Sequence, residues 1–172
     1  MNRWVCRVGL VLLCVPLLLL TSCGEKAVVP PITDGFTCYA DVTYQEMDLK
    51  GKLTCGKDGA VQMHFDEPKS LKGITLSWDG KEMKMILGEM SMSVPREKVP
   101  QGALLCCLAQ VMAADHKEGK AVDDRYVIAG ETEGKAYELV CDPQTGTPLS
   151  LSIPDEELTA TFTDFHSLKP EE

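Results

Sequence analysis

The chain has few of the residues on which catalytic and nucleic-acid-binding proteins depend. Its 17 basic residues are outnumbered by 26 acidic ones, and a surface that acidic repels nucleic acid and anionic lipid headgroups. The three histidines, His64, His116 and His166, lie far apart, without the spacing of a metal site. Neither a G-x-S-x-G motif nor a phosphate-binding loop occurs. We therefore expect a protein that is not an enzyme, with no catalytic residue, metal or cofactor and no nucleic-acid partner.

The N-terminal residues differ in character from the rest of the chain. Arg3 and Arg7 precede an apolar run from Val8 to Leu20, which is shorter than the roughly 20 residues needed to span a bilayer. Leu20-Thr21-Ser22-Cys23 then resembles the bacterial lipobox. We predict that residues 1–22 are a lipoprotein signal peptide and that residues 23–35 are a lipidated cysteine and a tether. An uncleaved signal anchor and a secretory peptide cut at another site are less favoured alternatives.

Lipid on Cys23 would hold the protein at the cell membrane, facing the extracytoplasmic side. Two or more acyl chains anchor stably where one binds only marginally. The acidic composition of the rest of the chain leads us to expect membrane contact through these chains and not through a basic patch.

Five cysteines follow Cys23, so complete internal pairing is impossible. They are Cys38, Cys55, Cys106, Cys107 and Cys141. We favour the interpretation that most are small buried apolar residues. Cys38 and Cys55 lie on what are predicted to be neighbouring strands, and they are the candidate disulfide.

The apolar pattern predicts strands, one helix and then more strands. Apolar and polar residues alternate from Phe36 onward and again after residue 125, as in half-buried strands. Met90, Met92 and Val94 are expected to continue the strand of Met83–Leu87 past Gly88, in a meander of five or six strands. Turns are predicted at Asp79-Gly80 and at 142–148.

The helix is predicted over about 100–114, from a one-sided apolar stripe, and a charged loop over 116–124. The fold class is therefore α+β: a strongly curved antiparallel sheet with one main helix packed on its concave side. Residues 36–168 form the domain, and 169–172 are expected to be a disordered tail.

The inward faces of these elements define the residues expected to line a hollow. They are Val42, Leu53, Met63, Phe65, Leu76, Trp78, Met85, Leu87, Leu104, Leu108 and Met112. Met83, Met85, Met90 and Met92 alternate along the same stretch, and methionine suits surfaces that meet variable apolar ligands. An ordinary packed core explains the same alternation equally well.

Three stretches taken together resemble the LolA-like lipoprotein-carrier superfamily, especially its lipid-anchored members. They run from Phe65 to Lys81, through Pro68, Gly73 and Trp78-Asp79-Gly80; from Val140 to Pro148; and from Phe162 to Phe165. The resemblance implies an incomplete β-barrel whose mouth is covered by helices, and an activity of holding acyl chains or another apolar ligand in the concave cavity without chemistry. Some anchored members, a group similar to the germination lipoprotein GerS, imply instead a protein partner.

Two functions follow as expectations. The first is a membrane-anchored lipoprotein that binds a lipid-like ligand in the hollow of a half-barrel. The alternative is an anchored protein-interaction module that partners a cell-envelope or cell-wall-modifying enzyme, with its hollow filled by its own side chains.

Overall fold

The structure is a computed structural model that describes residues 35–114, 116 and 119–168. The predicted signal peptide, Cys23, nearly all of the tether and the C-terminal tail lie outside the described residues.

The described chain contains eleven strands and one α-helix. The strands are β1 (Phe36–Tyr44), β2 (Met47–Cys55), β3 (Val61–Glu67), β4 (Ile74–Trp78), β5 (Glu82–Leu87), β6 (Met90–Pro95), β7 (Lys120–Val122), β8 (Arg125–Thr132), β9 (Lys135–Cys141), β10 (Pro148–Ile153) and β11 (Leu158–Ser167). The helix, α1, spans Leu104–Met112, and short 3₁₀ turns occupy Arg96–Lys98 and Pro154–Glu156.

All eleven strands form one antiparallel sheet in the order β6-β5-β4-β3-β2-β1-β11-β10-β9-β8-β7. The first and last strands meet at its centre, where β1 pairs with both β2 and β11. Because β6 and β7 stand at the two ends of this order, the described strands do not close into a barrel. The prediction of an antiparallel sheet with a single helix is confirmed.

Aspartate side chains shape two of the turns that the sequence predicts. Asp79 Oδ1 accepts hydrogen bonds from the backbone N–H groups of Lys81 and Glu82, both at 2.8 Å. Asp142 Oδ1 accepts them from Gln144 and Thr145, at 2.7 and 2.9 Å. These bonds stabilise the charged carboxylates, which lowers the pKa of both Asp79 and Asp142. Side chains of this kind replace backbone partners in turns.

The helix is shorter than predicted because its first residues form a turn. The Ala103 N–H donates to the Pro100 carbonyl at 3.0 Å, and Ala103 itself is extended, so helical geometry begins at Leu104. Seven of the nine helical residues are buried. A helix buried on nearly all sides lies inside the fold. Helix α1 contacts β3 and β4. Its buried side chains belong to a core to which β1 and β8–β11 also contribute.

Two segments differ from the sequence prediction. β6 does not continue β5: Leu87 pairs with Met90, so Gly88 and Glu89 make a two-residue turn and the chain folds back. Gly88 has a φ of 58° at the first turn position, where the hairpin turns that fit strand twist use glycine. The predicted loop over 116–124 contains β7, whose three exposed residues are too few to show an alternating apolar pattern.

One in-register row of apolar side chains crosses five strands. Leu53, Met63, Leu76, Met85 and Met92 are successive partners from β2 to β6. Leu53 and Met63 are fully buried, Leu76 and Met85 are half-buried, and Met92 is 55% exposed. Exposure thus rises along the row towards β6, so α1 and the core cover only part of the inner face.

Candidate functional site

The uncovered part of the inner face forms an apolar groove of about 790 Å³. Its floor comes from β3–β6, and its wall comes from the segment that leads into α1. Its apolar lining consists of Tyr44, Met47, Leu49, Phe65, Leu71, Ile74, Leu76, Met83, Met85, Val94, Val99, Pro100, Gly102, Ala103, Leu104 and Leu105. This volume is within the range of natural ligand sites, which are mostly apolar with a few polar groups.

Polar groups lie at the edge of the groove. The Tyr44 hydroxyl donates to the Gly102 carbonyl at 2.6 Å and so ties the end of β1 to the groove wall. Burial is the main cause that raises the pKa of Tyr44. Glu156 forms an ion pair with Lys135, and Lys98 is exposed. The lining thus contains one ion-paired carboxylate and one exposed lysine among apolar side chains.

Four of the residues predicted to line a hollow lie on the groove: Phe65, Leu76, Met85 and Leu104. Five others are buried in the core, namely Val42, Leu53, Met63, Trp78 and Leu108. Met112 packs against the core and lines a second, smaller cavity of about 310 Å³. Leu87 is 42% exposed, beyond the groove.

Several lining residues were not predicted. Ile74 shares the face of Leu76 and Met85, so strand alternation was a signal for it. The sequence marks Met83 only as one of the alternating methionines. The wall residues Val99, Pro100 and Ala103 lie outside regular structure, and no periodic pattern marks them. Tyr44 and Leu49 flank the β1–β2 turn and reach the groove only through the packing of the sheet.

The five described cysteines are free and buried, so the candidate bridge between Cys38 and Cys55 is absent from the structure. Cys38 pairs in register with Leu53, and Cys55 pairs with Phe36. The two cysteines are therefore diagonal neighbours, a relation with a spacing of about 7–8 Å, longer than a disulfide prefers. Burial raises the pKa of Cys38 to about 12 and of Cys107 and Cys141 to about 11. Protonated thiols are poor nucleophiles.

The described residues contain no cluster of three or more His, Cys, Asp or Glu side chains able to hold a metal ion. They also contain no helix long and apolar enough to pass through a bilayer.

The described chain is thus an open antiparallel sheet with one helix, and the groove beside that helix is an apolar site. No family model and no curated protein matches the sequence. Among solved structures, an uncharacterized conserved protein from Thermus thermophilus is similar, with a TM-score of 0.52 and 14% identity over 82% of this chain and 83% of that one. A likeness at this identity shows the fold alone.

Solved structures of the superfamily that the sequence resembles are also among the similar ones. A LolA superfamily protein from Nitrosomonas europaea has a TM-score of 0.41 and 9% identity, covering 84% of this chain and 90% of that one. A chain of the Clostridioides difficile CwlD amidase in complex with the GerS lipoprotein has a TM-score of 0.43 and 12% identity, covering 92% and 93%. TM-scores below 0.5 carry no conclusion about function.

Proposed function

We propose that the chain is a membrane-anchored bacterial lipoprotein that holds a lipid-like ligand in the groove of an incomplete β-barrel, without catalysis. The observation that carries this proposal is the groove itself. An apolar face that the helix leaves uncovered is costly in water, and a bound apolar chain would remove that cost.

The size of the effect is sufficient for binding. An acyl chain that buried on the order of 400 Å² of apolar surface would gain about 10 kcal/mol at 25 cal/mol per Å². Loss of translational and rotational freedom would offset part of this gain. Half-buried methionines, Met83 and Met85, line the floor; their flexible side chains adapt to ligands of varied shape.

The anchor in this proposal is lipid on Cys23. Residues 24–35 would connect it to β1, and a coil of that length reaches on the order of 20 Å and about 40 Å when fully extended. The domain would therefore stay within reach of its own membrane in any orientation.

The test uses residues 24–172, which contain every described strand, the helix and the whole core. We expect native mass spectrometry of this segment, purified from bacterial cells, to show bound lipid, and a hydrophobic dye to compete for the same site. A clean mass together with no dye binding would contradict the proposal.

A matched pair of variants locates the site. Met85 lines the groove, whereas its neighbour Ile86 pairs with Thr75 and Ser91 on the opposite face of the same strand. Met85→Glu should weaken dye binding at least tenfold, since about 1.4 kcal/mol is tenfold in affinity and a buried carboxylate costs more than that. Ile86→Glu should leave dye binding unchanged. Equal effects of the two variants would show that the dye binds elsewhere.

The alternative function, an anchored module that binds an envelope enzyme, has a different feature in its favour. Among the described strands, β6 stands at one end of the sheet with one side unpaired, and an extended peptide can add to such an edge. Co-purification of a protein with the anchored chain, with no lipid on the isolated domain, would select this alternative.

A further inference from the structure

A group of exposed apolar side chains lies next to the groove, on β5 and β6. Met90 is 68% exposed, Met92 is 55% exposed and Leu87 is 42% exposed. Leu87 pairs with Met90, and Met85 pairs with Met92, so the three exposed side chains share the face of the groove floor. The groove and this apolar patch, formed by Leu87, Met90 and Met92, are therefore one continuous surface.

The charge around the patch is opposite to that of the chain as a whole. We call residues 69–98, which include β4–β6 and their turns, the β4–β6 arm. The arm carries six basic and four acidic side chains, in a chain with a net charge of −9. Residues 119–168, at the other end of the sheet, carry three basic and ten acidic side chains. The arm is thus a basic region of an acidic protein.

The basic side chains stand at both ends of the apolar patch. Lys69 and Lys72 are exposed on the turn before β4, at the end of the arm where Ile74 pairs with Leu87. Lys81, Arg96 and Lys98 are exposed at the other end, where the Arg96 N–H donates to the Lys81 carbonyl at 2.8 Å. Exposed acidic side chains accompany these cations, Glu89 at the first end and Asp79, Glu82 and Glu97 at the second, so the excess of positive charge lies at the first end. An exposed apolar patch beside a cationic group is typical of surfaces that lie on anionic membranes.

We propose that the β4–β6 arm docks on an anionic lipid bilayer, with Leu87, Met90 and Met92 in the interface and the flanking cations on the headgroups. This inference rests on the proposed function, because docking would bring the groove to the lipid that it takes up or delivers. It also revises the expectation from composition that membrane contact comes from the acyl chains alone. The chain as a whole is acidic, but basic residues outnumber acidic ones on the arm.

The test is co-sedimentation of residues 24–172 with phosphatidylcholine vesicles that do or do not contain phosphatidylglycerol. Only the anionic vesicles should bind the protein, and added salt should weaken the binding. Lys72→Gln with Lys98→Gln should reduce partitioning about 25-fold, since each lysine near an anionic surface contributes about fivefold. The control, Lys120→Gln with Arg125→Gln, makes the same charge change on β7 and β8 and should have no effect.

A second pair of variants tests the apolar patch without changing charge. Met90→Ser with Met92→Ser should reduce partitioning at least about tenfold, whereas Leu149→Ser with Leu168→Ser, at exposed positions outside the arm, should not. Circular dichroism and thermal unfolding would confirm that all variants are folded.

Four outcomes would overturn the docking proposal: no binding to anionic vesicles, equal binding to neutral ones, equal losses in test and control variants, or a methionine variant that changes oligomeric state instead of vesicle binding.

The dye assay, run without vesicles, separates this proposal from the groove function. Dye binding without vesicle binding refutes docking alone. Vesicle binding without dye binding supports docking and refutes ligand carriage.

Discussion

The two halves of the inner face carry the same kind of side chain in different surroundings. Over β1–β3 and β9–β11 the apolar residues meet α1 and one another and are buried. Over β4–β6 the apolar residues continue in register, but α1 packs against β4 and leaves β5 and β6 less covered, so exposure rises to 55% at Met92. Apolar alternation therefore specifies a face, and the position of the helix decides whether that face becomes core or groove.

The largest expected effect is a difference between two methionines of the same row. Met63→Ala should lower the free energy of unfolding by about 2–5 kcal/mol, because it leaves a cavity in a packed core. Met92→Ala should change it by less than about 0.5 kcal/mol, because the side chain is exposed. Urea denaturation followed by tryptophan fluorescence measures both, and similar losses would mean that the edge is as well packed as the centre.

Alkaline pH should lower the stability of the folded protein through the buried thiol of Cys38. Burial raises the pKa of Cys38 from 9.0 to about 12, so the folded state retains a proton that the unfolded state loses. This contribution is complete below pH 9 and is lost as the pH rises towards 12. At pH 11 the loss for Cys38 alone is about 3 kcal/mol.

Thermal unfolding between pH 8 and pH 11 checks this loss, with Cys38→Ala as the control whose decline should be shallower. Identical declines would show that Cys38 reaches solvent in the folded protein.

A smaller loss of stability is expected at Tyr44, which packs against the core and is hydrogen-bonded to the groove wall. Tyr44→Phe removes the hydrogen bond to the Gly102 carbonyl and should lower the free energy of unfolding by about 1 kcal/mol. It should also loosen the groove wall, so that dye binding weakens by more than stability alone explains. A variant with normal stability and normal dye affinity would show that this hydrogen bond does not hold the wall.

The sheet and its main turns could be predicted from the sequence, but the boundary of the groove could not. Period-two alternation assigned Leu53, Met63, Leu76 and Met85 to one face, and that assignment is correct. Which of them α1 covers depends on contacts between residues distant in sequence, and so Met63 and Met85, alike in pattern, have different surroundings.

Local signals were also too weak in three places. The Gly88-Glu89 turn lacks the Asn-Gly or Asp-Gly pair that marks many hairpins. β7 has only exposed residues, and the groove wall around Val99 and Ala103 lies outside regular structure. These segments take their conformation from their neighbours and not from a periodic pattern of their own.

The unpaired edge of β6 has a consequence for handling the protein at high concentration. No described strand pairs with the outer edge of Met90–Val94, which has exposed methionines and no charged side chain. Its backbone N–H and C=O groups therefore offer a template for strands of other molecules. Pro95 ends this stretch, and glutamates precede and follow it at Glu89 and Glu97, which confines the hazard to one short segment. Methionine oxidation there would make the edge polar, so aged and fresh preparations should differ in their tendency to aggregate.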